Sequence, residues 1–263
     1  MSLTPPEFFE PIREAAERRW QQLEADPELA GPWHQLFKQV QSPRHVLSEL
    51  LQNADDAGAT EASAEIKDGL FVFSHNGEDF KSDHFASLCR FGYSNKRSLH
   101  TIGFRGIGFK STFSLGPVVR IQTPSLSVYF EKERFTLPCW ECEQQDTIKT
   151  TLILVQIQDD LREAELKKNL DEWQQSPVSL LFFRNIRKLS LNSKELFWEH
   201  SGNGPVNNSE WYLLNNSLSD RYLLVHSELE DFPSECVDEI RQERILGADT
   251  DFSLPSSRIE LVL

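Results

Sequence analysis

The sequence predicts a mixed α/β domain, a sheet accompanied by helices, on three observations. Residues 43–57 place apolar side chains at helical spacing, residues 62–67 and 70–74 flank a two-residue turn, and β-branched runs recur from residue 118 onward. A chain of 263 residues, 39% hydrophobic and 26% charged, buries a core without staples and lies outside the collagenous and disordered classes. That length fits one large domain or one domain with an appendage.

The elements come in this order. Glu, Ala, Arg and Gln over 11–23 favour helix, punctuated by Asp26-Pro27 and Gly31-Pro32, so residues 1–40 read as a helical arm. Ser42 as a cap and Pro43 in the first turn start the next helix, and Gly58 stops it. Its Leu47, Leu50, Leu51 and Ala54 share one face, while Glu49, Asn53 and Asp56 line another at i, i+4 and i+7. Asp68-Gly69 suits a primed turn between two strands, a β-hairpin. Ser82 caps a short helix through Cys89, residues 91–100 form a polar mobile loop, and 103–111 is Gly-rich. Strands are expected at 118–123, 126–130 and 150–157, a helix at 161–174, and further strands at 179–183, 188–191, 211–214 and 222–226, with a loop at 203–210. The chain ends in a strand-like run, 258–263, as an excised piece of a longer protein would.

No apolar run approaches the roughly 18 residues a membrane span requires, and the basic-then-apolar start of a secretory signal is missing, so a cytoplasmic address is expected, with the nucleus left open. Four cysteines without framework spacing fit free thiols in a reducing compartment; Cys139 and Cys142 have zinc or redox spacing but lack a second pair. The net charge of −14 argues against binding phosphate backbones or anionic lipid over the whole surface. Between Lys81 and Arg120, however, seven cations face the single acid Asp83, a local +6 that leaves −20 on the rest.

Two constellations carry chemistry. Gly103, Gly106 and Gly108 bring three glycines into six residues, a loop whose amides either approach an anion or close a tight turn. Phe109 separates Gly108 from Lys110, so this is not a Walker loop. The stripe of Glu49, Asn53 and Asp56 is either a solvated helix face or a set of oxygens that orients water and holds a hard divalent cation.

Taken together, Glu49-Leu-Leu-Gln-Asn53-Ala-Asp-Asp56-Ala-Gly58, His75-Asn76-Gly77 after the hairpin, and the glycine loop 103–108 resemble the N-box and the two glycine boxes of the GHKL ATPases. Within that superfamily they look most like the chaperone-like modules of sacsin and NO VEIN-type proteins, over residues 40–155. The resemblance implies a Bergerat-type two-layer α/β sandwich, a mixed sheet covered by helices, with a core at 41–160 and a C-terminal extension at 161–263. It implies ATP and Mg²⁺ as cofactors. Glu49 would be the general base, Asn53 the Mg²⁺ ligand and Asp56 the support of the pocket floor. The amides of Gly103, Gly106, Ile107, Gly108 and Phe109 would wrap the phosphates, with Ser94, Lys96, Arg105 and Lys110 from the cationic stretch, and Thr150 would stand near the adenine. His75 takes the position at which most relatives have an Asp that receives the adenine amino group, with Asn76 and Gly77 beside it. The implied activity is ATP binding that closes loop 91–102 and pairs two copies of the chain, with residues 1–40 exchanged between them, followed by slow hydrolysis, for a protein or nucleic-acid client. Two alternatives stay open: a non-hydrolytic interaction scaffold with a degenerate pocket, and direct nucleic-acid binding through the +6 stretch.

Overall fold

The computed structural model describes residues 3–39, 42–90, 108–141, 148–243 and 256–263. The expected loop 91–100, with Ser94 and Lys96, and the glycines up to Ile107, with Gly103, Arg105 and Gly106, lie outside these residues, as does Cys142. Helices α1 (Phe9–Ala25) and α2 (Pro27–Gln39) precede α3 (Pro43–Asp56). Strands β1 (Glu61–Lys67) and β2 (Leu70–His75) form the hairpin, and α4 (Ser82–Leu88) comes next. After a 3-10 turn at Gly108–Ser114 come β3 (Val118–Gln122), β4 (Ser127–Glu131), β5 (Cys139–Trp140), β6 (Thr151–Gln156) and α5 (Asp160–Gln175). Then come β7 (Lys188–Leu191), β8 (Lys194–Asn203), β9 (Ser209–Leu214), β10 (Arg221–His226), α6 (Ser234–Glu243) and β11 (Glu260–Val262).

Among the described residues the strands make one sheet in the order β11-β10-β9-β8-β7-β1-β2-β6-β3-β4-β5. Its one parallel pair is β1 with β7, so the sheet is mixed, and the α/β architecture is the one expected. The hairpin turns where Asp68 and Gly69 take φ of 52° and 74°, the left-handed values a primed turn needs. Alternation along β2 and β6 buries Phe71, Phe73, Ile153 and Val155 in the core shared with Leu47, Leu50 and Leu51 of α3.

Two expectations change. Segment 179–183, expected as a strand, lies in a 3-10 helix over Pro177–Phe182: a short apolar run has no period that separates the two states, and Pro177 supplies a helical first turn. Ser82 opens α4 rather than capping it, since Lys81 holds the cap position. The stretch expected as a helical arm forms α1 and α2, and α1 packs on the rest: Phe9 and Trp20 are buried, and Trp20 Nε1 donates to Thr136 Oγ1 at 2.9 Å. No helix among the described residues is long and apolar enough to cross a membrane.

Candidate functional site

The site is built along α3. Pro43 occupies its first turn, and its far end closes in a Schellman arrangement: Ala59 N donates to Ala54 O at 3.0 Å and Gly58 N to Asp55 O at 2.9 Å, with Gly58 at φ +73°. Asp55 then locks this end to the segment that leads into β7. Its carboxylate, 1% exposed, accepts from the backbone amides of Asn185 (2.7 Å), Ile186 (3.0 Å) and Arg184 (3.2 Å), and its carbonyl accepts from Asn185 Nδ2 at 2.8 Å. Arg187 N and Lys188 N both donate to Thr60 O, so the end of α3, the start of β1 and the approach to β7 form one knot. Sequence reading passes over Asp55 in favour of Asp56, which is only half-buried. The signal is there, since Asp55 lies four residues after the core residue Leu51, and an acid on an apolar face is a buried, bonded acid.

Glu49 and Asn53 sit half-buried, one turn apart on the neighbouring face. The structure brings Glu49 to the glycine segment: a Cβ placed on Gly108 would collide with the end of the Glu49 side chain, so a larger residue there would push the carboxylate aside. The residues just after Gly108 hold it there. Phe109 and Phe113 are buried, Phe109 meets the Phe130 ring edge-on at 5.8 Å, and Thr112 Oγ1 donates to Phe109 O at 2.6 Å. Lys110 is buried too, its Nζ 5.1 Å from the Phe109 ring centre and 5.8 Å from that of Phe130, and it donates a short hydrogen bond to Leu88 O. Burial pushes its ammonium down to about 8. The expected phosphate ligand is therefore spent on the last turn of α4, where Arg19 also donates, to Cys89 O at 3.0 Å. Burial likewise pushes the Cys89 thiol up to about 12, as befits a packing residue.

The cationic stretch shrinks accordingly. Lys81 pairs with Glu78 at 2.8 Å, Arg120 with Glu141 at 3.0 Å, and Lys110 is inside, while Lys96, Arg97 and Arg105 fall outside the described residues.

The other end of the site lies at the C-terminus of α3. Gly77 presses on Ala57, where a Cβ would stand 2.8 Å from Ala57 O, and Glu78 N donates to the same carbonyl at 2.8 Å. Asn76 is consumed by the frame: its Oδ1 accepts from Thr60 N (2.9 Å) and Glu61 N (3.0 Å), and its Nδ2 donates to Thr60 Oγ1 at 2.8 Å. His75 is buried, its Nδ1 accepting from Gly77 N at 3.1 Å, and desolvation pushes it down to about 4, so the ring is neutral. Its register partner across β2 and β6 is Thr151, which sequence reading misses; Thr150 lies one residue before the strand. Thr151 is 2% exposed and its Oγ1 has no hydrogen-bond partner among the described residues. Ser111 Oγ, three residues after Gly108, is buried in the same condition.

A nucleotide with a divalent cation fits one end and fits the other less well. At the Glu49 end the carboxylate and the Asn53 amide are oxygen donors of the kind a hard cation takes, and Gly108 lies against that carboxylate. At the His75 end the ring acceptor is occupied by Gly77. No cluster of three or more metal-ligating His, Cys, Asp or Glu side chains exists among the described residues.

No family model matches the chain. The DNA mismatch repair protein MutL of Chlorobium chlorochromatii is 44% identical over 87 residues, 29% of this chain and 13% of that protein. Sacsin of Homo sapiens is 28% identical over 116 residues, 36% of this chain and 2% of that protein. The MutL of Pelobacter propionicus is 38% identical over 86 residues, 29% of this chain and 14% of that protein. The chain thus corresponds to a small part of each relative's length. Over those residues the chain is similar to MutL and to sacsin, and its mixed sheet with helices is consistent with the GHKL-type resemblance of its motifs.

Proposed function

We propose that the chain binds ATP with Mg²⁺ along α3 and hydrolyses it slowly, as the nucleotide-driven switch of a larger protein. The observation that carries the reading is the apposition of the Glu49 carboxylate and Gly108, which sets a proton acceptor beside a backbone cradle for an anion. In this reading Glu49 takes the proton of the attacking water, and Asn53, one turn along the helix, offers its side-chain oxygen to the cation. Mg²⁺, when bound, supplies charge neutralisation of the phosphates. Backbone amides at Gly108 and Phe109 hold the phosphate oxygens without a lysine, since Lys110 is committed to Leu88. Closure of segment 91–102 with Lys96, and pairing of two copies on nucleotide, belong to the same reading and rest on the sequence. Exchange of the N-terminal segment between copies would first require the Phe9 and Trp20 contacts to open.

A non-hydrolytic scaffold is the competing reading, favoured by the occupied acceptor of His75. One experiment separates the two: phosphate release and nucleotide binding by the wild type and Glu49→Ala. The proposal expects wild-type turnover that drops by about 100-fold or more in the variant, with binding kept. Equal turnover in both proteins overturns it.

A further inference from the structure

Packing does not account for the lysine at position 110. The side chain is 1% exposed, its Nζ lies over the Phe109 and Phe130 rings, and its titratable neighbour among the described residues is Cys89, a thiol that its own burial keeps neutral. A buried ammonium without a counter-ion is costly, and methionine would fill a slot between rings without that cost. What lysine adds over methionine is one directed bond, from Nζ to Leu88 O.

That bond joins residues 22 apart in the chain, and it joins two places that matter to the site. Leu88 is the last residue of α4; Lys110 stands in the 3-10 turn that Gly108 opens, just past the glycine that lies against Glu49. The α4 end is itself fixed. Arg19 of α1 donates to the next carbonyl, Cys89 O, at 3.0 Å, and the Phe85 ring meets those of Phe8 and Phe9 at 6.0 and 5.9 Å. Toward the far end of the turn, Phe113 meets the Phe37 ring of α2 at 5.9 Å. A turn of 7 residues held by Lys110 near its start and by Phe113 near its end has little freedom to carry Gly108 away from α3.

We infer that Lys110 is a positioning residue of the triphosphate end: its bond to the Leu88 carbonyl clasps the Gly108 turn to α4 and so holds Gly108 against Glu49, with Arg19 steadying the α4 side of the clasp. The inference rests on the nucleotide reading above and adds to it a residue that acts through Gly108 rather than on the phosphates. Placement at this scale matters, since a shift of about 1 Å at a reacting group costs on the order of 100-fold in rate.

Turnover at saturating ATP with Mg²⁺, read beside the melting temperature, tests it in the wild type and three variants. Lys110→Met fills the slot but removes the buried charge and the bond, so the melting temperature is expected to hold or rise while turnover falls about tenfold or more. That split separates placement from plain structural support, which would lower both together. Lys110→Gln, equally uncharged, keeps an N–H donor for Leu88 O and is expected to recover most of the loss. Arg19→Met, at a half-buried position, is expected to lower turnover about threefold, and it decides the matter if Lys110→Met does not fold. Wild-type turnover in Lys110→Met, equal losses in the methionine and glutamine variants, or, where Lys110→Met does not fold, unchanged turnover in Arg19→Met overturns the inference and leaves the nucleotide reading standing. A wild type that does not turn over ATP overturns both.

Discussion

Glu49 and Asp55 stand six residues apart on one helix, and their carboxylates meet opposite fates. Asp55 is sealed and bonded to three backbone amides from a segment some 130 residues away, so its charge holds the end of α3 against the approach to β7. Glu49 is half-buried, with its carboxylate close against Gly108. The first arrangement is what a fold needs, a charge fully satisfied by fixed dipoles. The second is the arrangement that the proposed reaction calls for, a carboxylate beside a backbone segment that would take an anion. The contrast teaches that the more buried acid is the structural one, although its neighbour Asp56 lies on the functional stripe.

The comparison breaks most sharply at Asp55. Asp55→Ala leaves three amides without an acceptor and is expected to cost about 4 kcal/mol of folding stability, read by chemical denaturation. A loss below about 1 kcal/mol would mean that water replaces the carboxylate. Acidification should act on the same end of the helix. The folded pKa of His75 is depressed to about 4, below the ordinary 6.5, so its contribution is fully present above pH 6.5 and is lost as pH falls from there through about 4. That component amounts to about 3 kcal/mol and should vanish from the pH profile of His75→Asn stability. A profile identical in both proteins would place the acid sensitivity elsewhere. At the other end, Gly108→Ala drives a methyl group into the Glu49 carboxylate. Turnover is expected to fall by about 100-fold while the melting temperature moves little, because the displaced group is a half-buried side chain. A variant that turns over normally would remove Gly108 from the site.

Local rules made much of this legible. Pro43 and Gly58 bounded α3, Asp68-Gly69 bounded the hairpin, and alternation marked β6, because capping, left-handed turns and two-residue periods are written in adjacent residues. Glu49 and Asn53 were found by their spacing on one helix. Asp55 and Thr151 were not, since their meaning comes from partners distant in the chain: amides at 184–186 for one and the register of β2 against β6 for the other. The cationic stretch misled for the same reason. A count of charges cannot see that Lys110 points into the core toward Phe109 and Phe130, or that Arg120 faces Glu141. Strand β8 went unread because polar residues dominate it, so hydrophobic alternation was too weak to mark it.

The central claim, that Glu49, Asn53 and Gly108 form the triphosphate end of a nucleotide site, is tested most directly by calorimetric titration of ATP with Mg²⁺ into the wild type and Asn53→Ala. The account predicts saturable binding at one site per chain in the wild type and its loss in the variant, with folding unchanged. Absence of binding by the wild type, or equal binding by the variant, would contradict it.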